Sequence, residues 1–207
     1  MKATLNPTPE SVLAHHRPHV CPSWLAWGLV NPVRRWLNDP EALLGDFVQA
    51  GDRVLEIGPG PGFYTVPLAR QVGERGQVVC IDVQQGMLDR LSRTLSRQGL
   101  AHRVATHCCA GGNAWLDQVQ GSMDKAVLIY VLHEVPDPRQ TLAEVYAALR
   151  PGGALLLVEP KGHCSTALFA AERWAARQVG FEDAGHKGWK SLRKFQTAML
   201  RRPVSAG

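Results

Sequence analysis

From about residue 40 onward the chain alternates two patterns. Short runs rich in Val, Ile and Leu fall near 53–57, 77–82, 103–108, 124–130 and 154–159. Between them lie stretches whose apolar residues recur every three or four positions, near 63–72, 84–98, 112–119 and 139–149. The first set reads as buried strands and the second as amphipathic helices. Their alternation predicts βαβ units around a mostly parallel sheet, an α/β fold of Rossmann-like, three-layer type. The stretch 84–98 shows the logic: Met87, Leu88, Leu91 and Leu95 share one helical face, and Arg90, Arg93 and Arg97 share the other. The helix at 139–149 is punctuated at both ends, by Pro136-Asp137-Pro138 before it and Pro151-Gly152-Gly153 after it. A further helix is expected over 165–179, stopping at Gly180. Beyond it, Phe181 to Trp189 and Lys194 to Leu200 read as an antiparallel hairpin that closes the sheet.

The first 45 residues do not share this rhythm. They concentrate proline and tryptophan and predict short helices around 22–29 and 31–38, laid over the sheet edge or the site as a helical lid. The expected organisation is therefore a lid over 1–45 and a main unit over 46–207. A chain of 207 residues accommodates both as one structural domain.

Composition narrows the setting. Hydrophobic residues make up 45% and charged residues 20%, the balance of a folded globular chain. The longest strongly apolar run, Ala126 to Leu132, is far shorter than the roughly 20 residues a bilayer-crossing helix needs. The N-terminus lacks the continuous apolar stretch of a secretory signal, so the cytoplasm is the expected compartment. Five cysteines, an odd number with no disulfide spacing, read as free thiols. The net charge of +5 suits anionic partners, but an ordinary basic surface accounts for it equally well.

The sharpest local feature is Glu56-Ile57-Gly58-Pro59-Gly60-Pro61-Gly62, directly after the first strand. A strand that runs into a glycine-rich turn and then a helix lets a ligand approach bare backbone at the carboxyl edge of the sheet. The spacing argues against a dinucleotide: the third glycine of G-x-G-x-x-G would fall at Phe63. It argues against a phosphate-binding loop as well, because Gly62-Phe63-Tyr64 offers no lysine. At the tip of the second strand stands Asp82, placed to accept hydrogen bonds from a ribose diol or to cap the helix that follows.

These residues and their order resemble the class I S-adenosylmethionine-dependent methyltransferases, of the small-molecule type with a family 11 or 25 methyltransferase domain. Val54 to Gly62 looks like the family's first motif. Asp82, with Val83 and Met87, looks like its second. Asp124 to Val135 resembles the fourth, and Leu149-Arg150-Pro151-Gly152-Gly153 resembles the turn before the fifth strand. The resemblance implies a seven-stranded sheet whose last strand is antiparallel. It also implies that S-adenosylmethionine is bound and leaves as S-adenosylhomocysteine. Glu56 would hold the methionyl ammonium, and Gly58, Pro59, Gly60 and Gly62 would form the loop under the methionyl moiety. Asp82 would bind the ribose, Val83 and Met87 would pack on adenine, and Tyr130 would line the methyl-transfer end. Where many relatives place an aspartate against the adenine amine, this chain has His107-Cys108-Cys109-Ala110-Gly111-Gly112. Adenine contact then falls to backbone at Ala110 and Gly111, or to Asn113.

Methyl transfer from a sulfonium needs alignment more than acid–base help, unless the acceptor must lose a proton. His133, with Glu134 beside it, is the candidate base; the alternative is that it packs against the cofactor or bonds the backbone. Glu159 and His163, expected past the fifth strand, form a second pair at the same edge, with a capping and loop role as the alternative. His19, Trp24 and Trp27, with His163, are candidates for the acceptor site. Trp24-Leu25-Ala26-Trp27 also suits a membrane surface, as a lipid-quinone substrate would require. The histidines and cysteines of 15–21 and 107–109 match no usual structural zinc spacing, so no metal is expected. The acceptor is expected to be a small molecule: the fourth motif lacks the Asn/Asp-Pro-Pro-Tyr pattern associated with base and amide amino groups, and no RNA module is appended. RNA methylation and a non-catalytic S-adenosylmethionine-binding role stand as the alternatives.

Overall fold

The computed structural model describes residues 7–17, 39–110, 115–185 and 195–204. Its centre is one seven-stranded sheet in the order β3-β2-β1-β4-β5-β7-β6. The strands are β1 (Arg53–Ile57), β2 (Gln77–Asp82), β3 (Val104–Cys108), β4 (Met123–Ile129), β5 (Leu149–Pro160), β6 (Glu182–Asp183) and β7 (Phe195–Arg201). β1 to β5 pair in parallel, and β7 runs antiparallel to both β5 and β6. The expected hairpin is present, although β6 keeps only two residues. Asp183 receives hydrogen bonds from Arg173 and Arg177 that tie it to the neighbouring helix.

Helices cover both faces. The described ones are α1 (Pro9–Ala14), α2 (Pro40–Leu44), α3 (Thr65–Val72), α4 (Gln85–Arg97), α5 (Leu116–Val119), α6 (Pro138–Ala148) and α7 (Thr166–Val179). Alternate side chains along each strand feed two cores. Val54, Cys80, Val127 and Leu156 meet Leu68, Leu91 and Leu95 of α3 and α4. Leu55, Leu128 and Leu157 meet Leu142, Val145, Leu168 and Ala175 of α6 and α7. The central strands β1, β2, β4 and β5 are largely buried on both sides, which is why they read as continuous apolar runs.

The helix boundaries follow their caps. Asp137 accepts a hydrogen bond from Gln140 N at 2.9 Å ahead of Pro138, a start that stabilises α6 by about 1 kcal/mol. Ser165 does the same for α7 through Leu168 N, and Gly180 ends it in the left-handed conformation. One expectation needs correction. β5 starts at Leu149 rather than 154, because Leu149 already pairs with Met123 and Pro151-Gly152-Gly153 is absorbed as an irregularity in the ladder. The strand also runs to Pro160, so Glu159 lies within it and not beyond it.

Strand order locates the site. The chain moves outward from β1 to β3 on one side and from β4 to β5 on the other, so the direction reverses between β1 and β4. In such sheets the crevice outside the carboxyl ends of these two strands receives ligands. The glycine loop follows β1, and Tyr130 to His133 follow β4. The helices expected at 22–29 and 31–38 lie outside the described residues, as do His19, Trp24, Trp27, Gly111 and Asn113.

Candidate active site

The loop after β1 is held by its own packing at two of its glycines and not at the third. Gly58 N donates to Ile81 O at 2.8 Å, and a Cβ on Gly58 would lie 2.2 Å from Val131 Cγ2. A Cβ on Gly62 would meet Leu91 Cδ1 at 2.8 Å. Gly60 has φ +54 with nothing within 4 Å of its missing Cβ, so its bare backbone faces open space. The first two glycines thus bring the loop onto β4 and α4, and Gly60 leaves room for a ligand.

Under this loop Glu56 is buried, with 4% of its surface exposed. Its Oε2 accepts from the Cys80 thiol at 3.4 Å, while the buried Thr65 Oγ1 acts on it without making a hydrogen bond of its own. Burial pushes the carboxyl up to about 7, with those two neighbours only partly offsetting it and Asp82 adding repulsion. A buried acid this poorly compensated calls for a cation. At the tip of β2, Asp82 is also buried; its Oδ1 accepts from Gln84 N at 2.9 Å. Burial raises its pKa, opposed by the N–H groups of Gln84, Gly60 and Val83. Its Oδ1 thus serves the turn before α4 without capping that helix, whose N-cap is Gln84 with no side-chain bond. Val83 is 53% exposed and Met87 is buried at the start of α4. The end of β3 closes this side through Cys109 N donating to Asp82 O at 3.0 Å, with Ala110 exposed just beyond.

Tyr130 takes the unusual φ of +62 at the tip of β4. Strain of this kind marks positions that the surroundings over-determine. Its ring packs between Tyr64 and Phe195, with centroids 6.0 and 5.3 Å away. Three residues on, His133 is held from several sides. Its Nδ1 bonds Glu159 Oε2, and its backbone N donates to Glu159 Oε1 at 3.3 Å. Glu134 Oε1 lies 3.9 Å from Nε2, and the His163 ring centroid is 6.2 Å away. His16 Nε2 contacts the His133 carbonyl at 2.6 Å, which brings the segment after α1 to this edge. Burial lowers the His133 pKa, but the bond to Glu159 and the charges of Glu159 and Glu134 outweigh it and leave it raised.

The two separate pairs expected from sequence are therefore one cluster. Glu159 is fully buried and bonded to His133, with His163 alongside. Sequence reading missed Glu172, which is fully buried on α7. A signal was present: Glu172 falls on the apolar stripe that carries Leu168, Ala175 and Ala176. The described cysteines do not converge. Three strands separate β3, which leads to Cys108 and Cys109, from β5, which leads to Cys164, a gap of about 19 Å at the usual strand spacing. Among the described residues no group of three or more His, Cys, Asp or Glu is placed to hold a metal ion.

Residues 54–153 match the family model described as "Methyltransferase domain". Over 112 residues the chain is 34% identical to the demethylmenaquinone methyltransferase of Lactobacillus johnsonii, covering 54% of this chain and 45% of that one. It is 36% identical over 112 residues to the ubiquinone/menaquinone biosynthesis C-methyltransferase UbiE of a Marinomonas species, covering 54% and 44%. The matched stretch thus spans less than half of either relative. A SAM-dependent methyltransferase from Aquifex aeolicus has the same fold, with a TM-score of 0.78 at 22% identity over 88% of this chain and 100% of that one. The [4+2]-cyclase SpnF also shares the fold, with a TM-score of 0.65 at 18% identity over 96% and 98%.

Proposed function

We propose that this chain, a member of the class I S-adenosylmethionine-dependent methyltransferases through residues 54–153, transfers a methyl group from that cofactor to a small-molecule acceptor. The observation that carries the reading is the poorly compensated buried Glu56 beneath a loop whose Gly60 faces open space, with Asp82 at the next strand tip. That donor set fits the cofactor: a carboxylate for the methionyl ammonium, bare backbone for the methionyl chain and a second carboxylate for the ribose hydroxyls. Val83, Met87 and the backbone of Ala110 and Gly111 supply the adenine side, and Tyr130 borders the methyl end. When bound, S-adenosylmethionine would supply an electrophilic methyl on a sulfonium, which an acceptor electron pair takes as the carbon–sulfur pair returns to sulfur. The chain's task is to align the acceptor and exclude water, and His133 receives the proton that the acceptor gives up.

The acceptor is a carbon centre of a hydroxylated ring. This rests on the two relatives, one a demethylmenaquinone methyltransferase and the other a ubiquinone/menaquinone biosynthesis C-methyltransferase. His163 lies beside His133 on the acceptor side, and His16 docks on the His133 carbonyl; His19, Trp24 and Trp27 are proposed as further acceptor contacts of a lid formed by residues 1–45. Four described cysteines are free thiols, which supports a reducing, cytoplasmic setting. Among the described residues no helix is long and apolar enough to cross a membrane. The test is product analysis: with a naphthohydroquinone, S-adenosylhomocysteine and a C-methylated ring form together. Binding of the cofactor with no S-adenosylhomocysteine across phenol, amine, thiol and RNA acceptors would favour a non-catalytic role.

A further inference from the structure

His133 rests on two buried carboxyls, and their surroundings differ. Glu159 accepts three hydrogen bonds, from Leu132 N at 2.9 Å, His133 N at 3.3 Å and the His133 ring. Among the described residues Glu172 receives only the Cys164 thiol at 3.8 Å, and its Oε1 has no hydrogen-bond partner. Both side chains are fully buried, and Glu159 acts electrostatically on Glu172. Two carboxyls in one buried site do not both ionise; the charge settles where the donors are. The donors gather on Glu159, while burial and the Glu159 charge raise the Glu172 pKa and keep that group protonated at neutral pH.

We propose that Glu159 is the positioning residue for His133: its carboxylate holds the imidazole with Nδ1–H pointing inward, so that Nε2 is the atom that takes the acceptor's proton. This rests on the methyltransferase reading above and sharpens its substrate class. An acceptor that needs this base carries an ionisable O–H, as a phenol or hydroquinone does. Its proton would pass to Nε2 and the electron pair released into the ring would take the methyl as the carbon–sulfur pair returns to sulfur; loss of the ring C–H proton and return of a proton from the imidazolium to the oxygen would then restore the aromatic ring, with one proton in all released to solvent. A backbone-anchored carboxylate is a rigid orienting group, because the Leu132 and His133 N–H groups fix Oε1 while Oε2 meets the ring. The groups facing His133 are Glu134 from its own turn, His163 after β5, His16 from the N-terminal segment and Glu159 from β5, with Glu172 and Cys164 of the α7 region behind Glu159.

The test is imidazole nitrogen NMR on unliganded, isotope-labelled protein, with His133 assigned by its loss in His133→Ala. In the wild type, neutral His133 should show the Nδ1–H tautomer; an Nε2–H tautomer overturns the proposal without any carboxyl variant. In Glu159→Gln the tautomer should switch and the His133 pKa should fall by about one unit or more. An unchanged tautomer and titration there would also overturn it. Glu172→Gln, neutral at every pH, should keep the wild-type tautomer and titration; losing them would mean that Glu172 carried the charge. Turnover of a naphthohydroquinone by Glu159→Gln should drop at least about tenfold in kcat, with little change in cofactor affinity. Partial recovery of kcat is expected in Glu159→Asp. Calorimetry with S-adenosylmethionine separates the two claims: absent binding defeats the methyltransferase reading, while the spectra alone decide the role of Glu159.

Discussion

Replacing Glu56 by glutamine should stabilise the unliganded protein and weaken its grip on the cofactor. The carboxyl is raised from 4.5 to about 7, chiefly by burial. The native state therefore holds a proton that the unfolded chain has released between those two values, and stability falls as pH rises through that window. Above it the full penalty applies, about 3 kcal/mol for this one group. Glutamine is neutral throughout and nearly isosteric. Allowing about 1 kcal/mol for disturbing the Cys80 contact, the variant should be about 2 kcal/mol more stable near pH 8 and no more stable near pH 4.5. In a domain of this size that is a rise in melting temperature of about 4–8 °C. Urea unfolding of both proteins at several pH values between these limits isolates the effect, since a raised acid that does not act on Glu56, such as Glu172, cancels in the difference. Cofactor affinity should fall by about tenfold or more in the variant, the loss expected for a charge-assisted hydrogen bond. In the wild type that affinity should rise with pH up to about 7, because the ammonium pairs with the ionised carboxylate. A stability difference that does not change with pH would refute the reasoning, as would an affinity indifferent to the substitution.

Three further outcomes follow from the same geometry. Gly58→Ala combines a positive φ with a 2.2 Å approach to Val131, and should lower stability by about 2–4 kcal/mol in urea titrations; adding Val131→Ala should restore part of that loss. Asp82→Asn should weaken S-adenosylmethionine binding by about ten- to a hundredfold in calorimetry, with the fold intact by circular dichroism. Asp124→Ala should do the opposite. It removes the acceptor of Arg53 N at 2.8 Å and of Arg150 Nε at 2.6 Å at the far end of the sheet, costing about 1–3 kcal/mol of stability while leaving cofactor affinity unchanged.

The architecture was legible because the burial that makes the fold also writes the pattern. Strands covered on both faces appear as unbroken apolar runs, and α4 shows its buried and arginine-bearing faces directly. The glycine loop and the strand-tip acid were legible too, because both are features local in sequence. The support for His133 was not. Glu159 lies 26 residues from His133 and meets it only because β5 runs parallel beside β4 and extends past its end. From the sequence Glu159 is expected past the fifth strand; the antiparallel partner β7 carries the ladder on to Pro160, pairing Glu159 with Gln196. Glu172 was hidden for a related reason: a helical pattern tolerates one polar residue on its inner stripe without showing what it faces. The strain at Tyr130 likewise has no signature in a tyrosine at the end of an apolar run.

The central claim is that the glycine loop, Glu56 and Asp82 form a seat for S-adenosylmethionine. Isothermal titration tests it most directly. The account predicts one binding site per chain for S-adenosylmethionine, weakened in Glu56→Gln and in Asp82→Asn, and no heat with NAD. Binding of NAD, or S-adenosylmethionine binding that neither substitution affects, would contradict it.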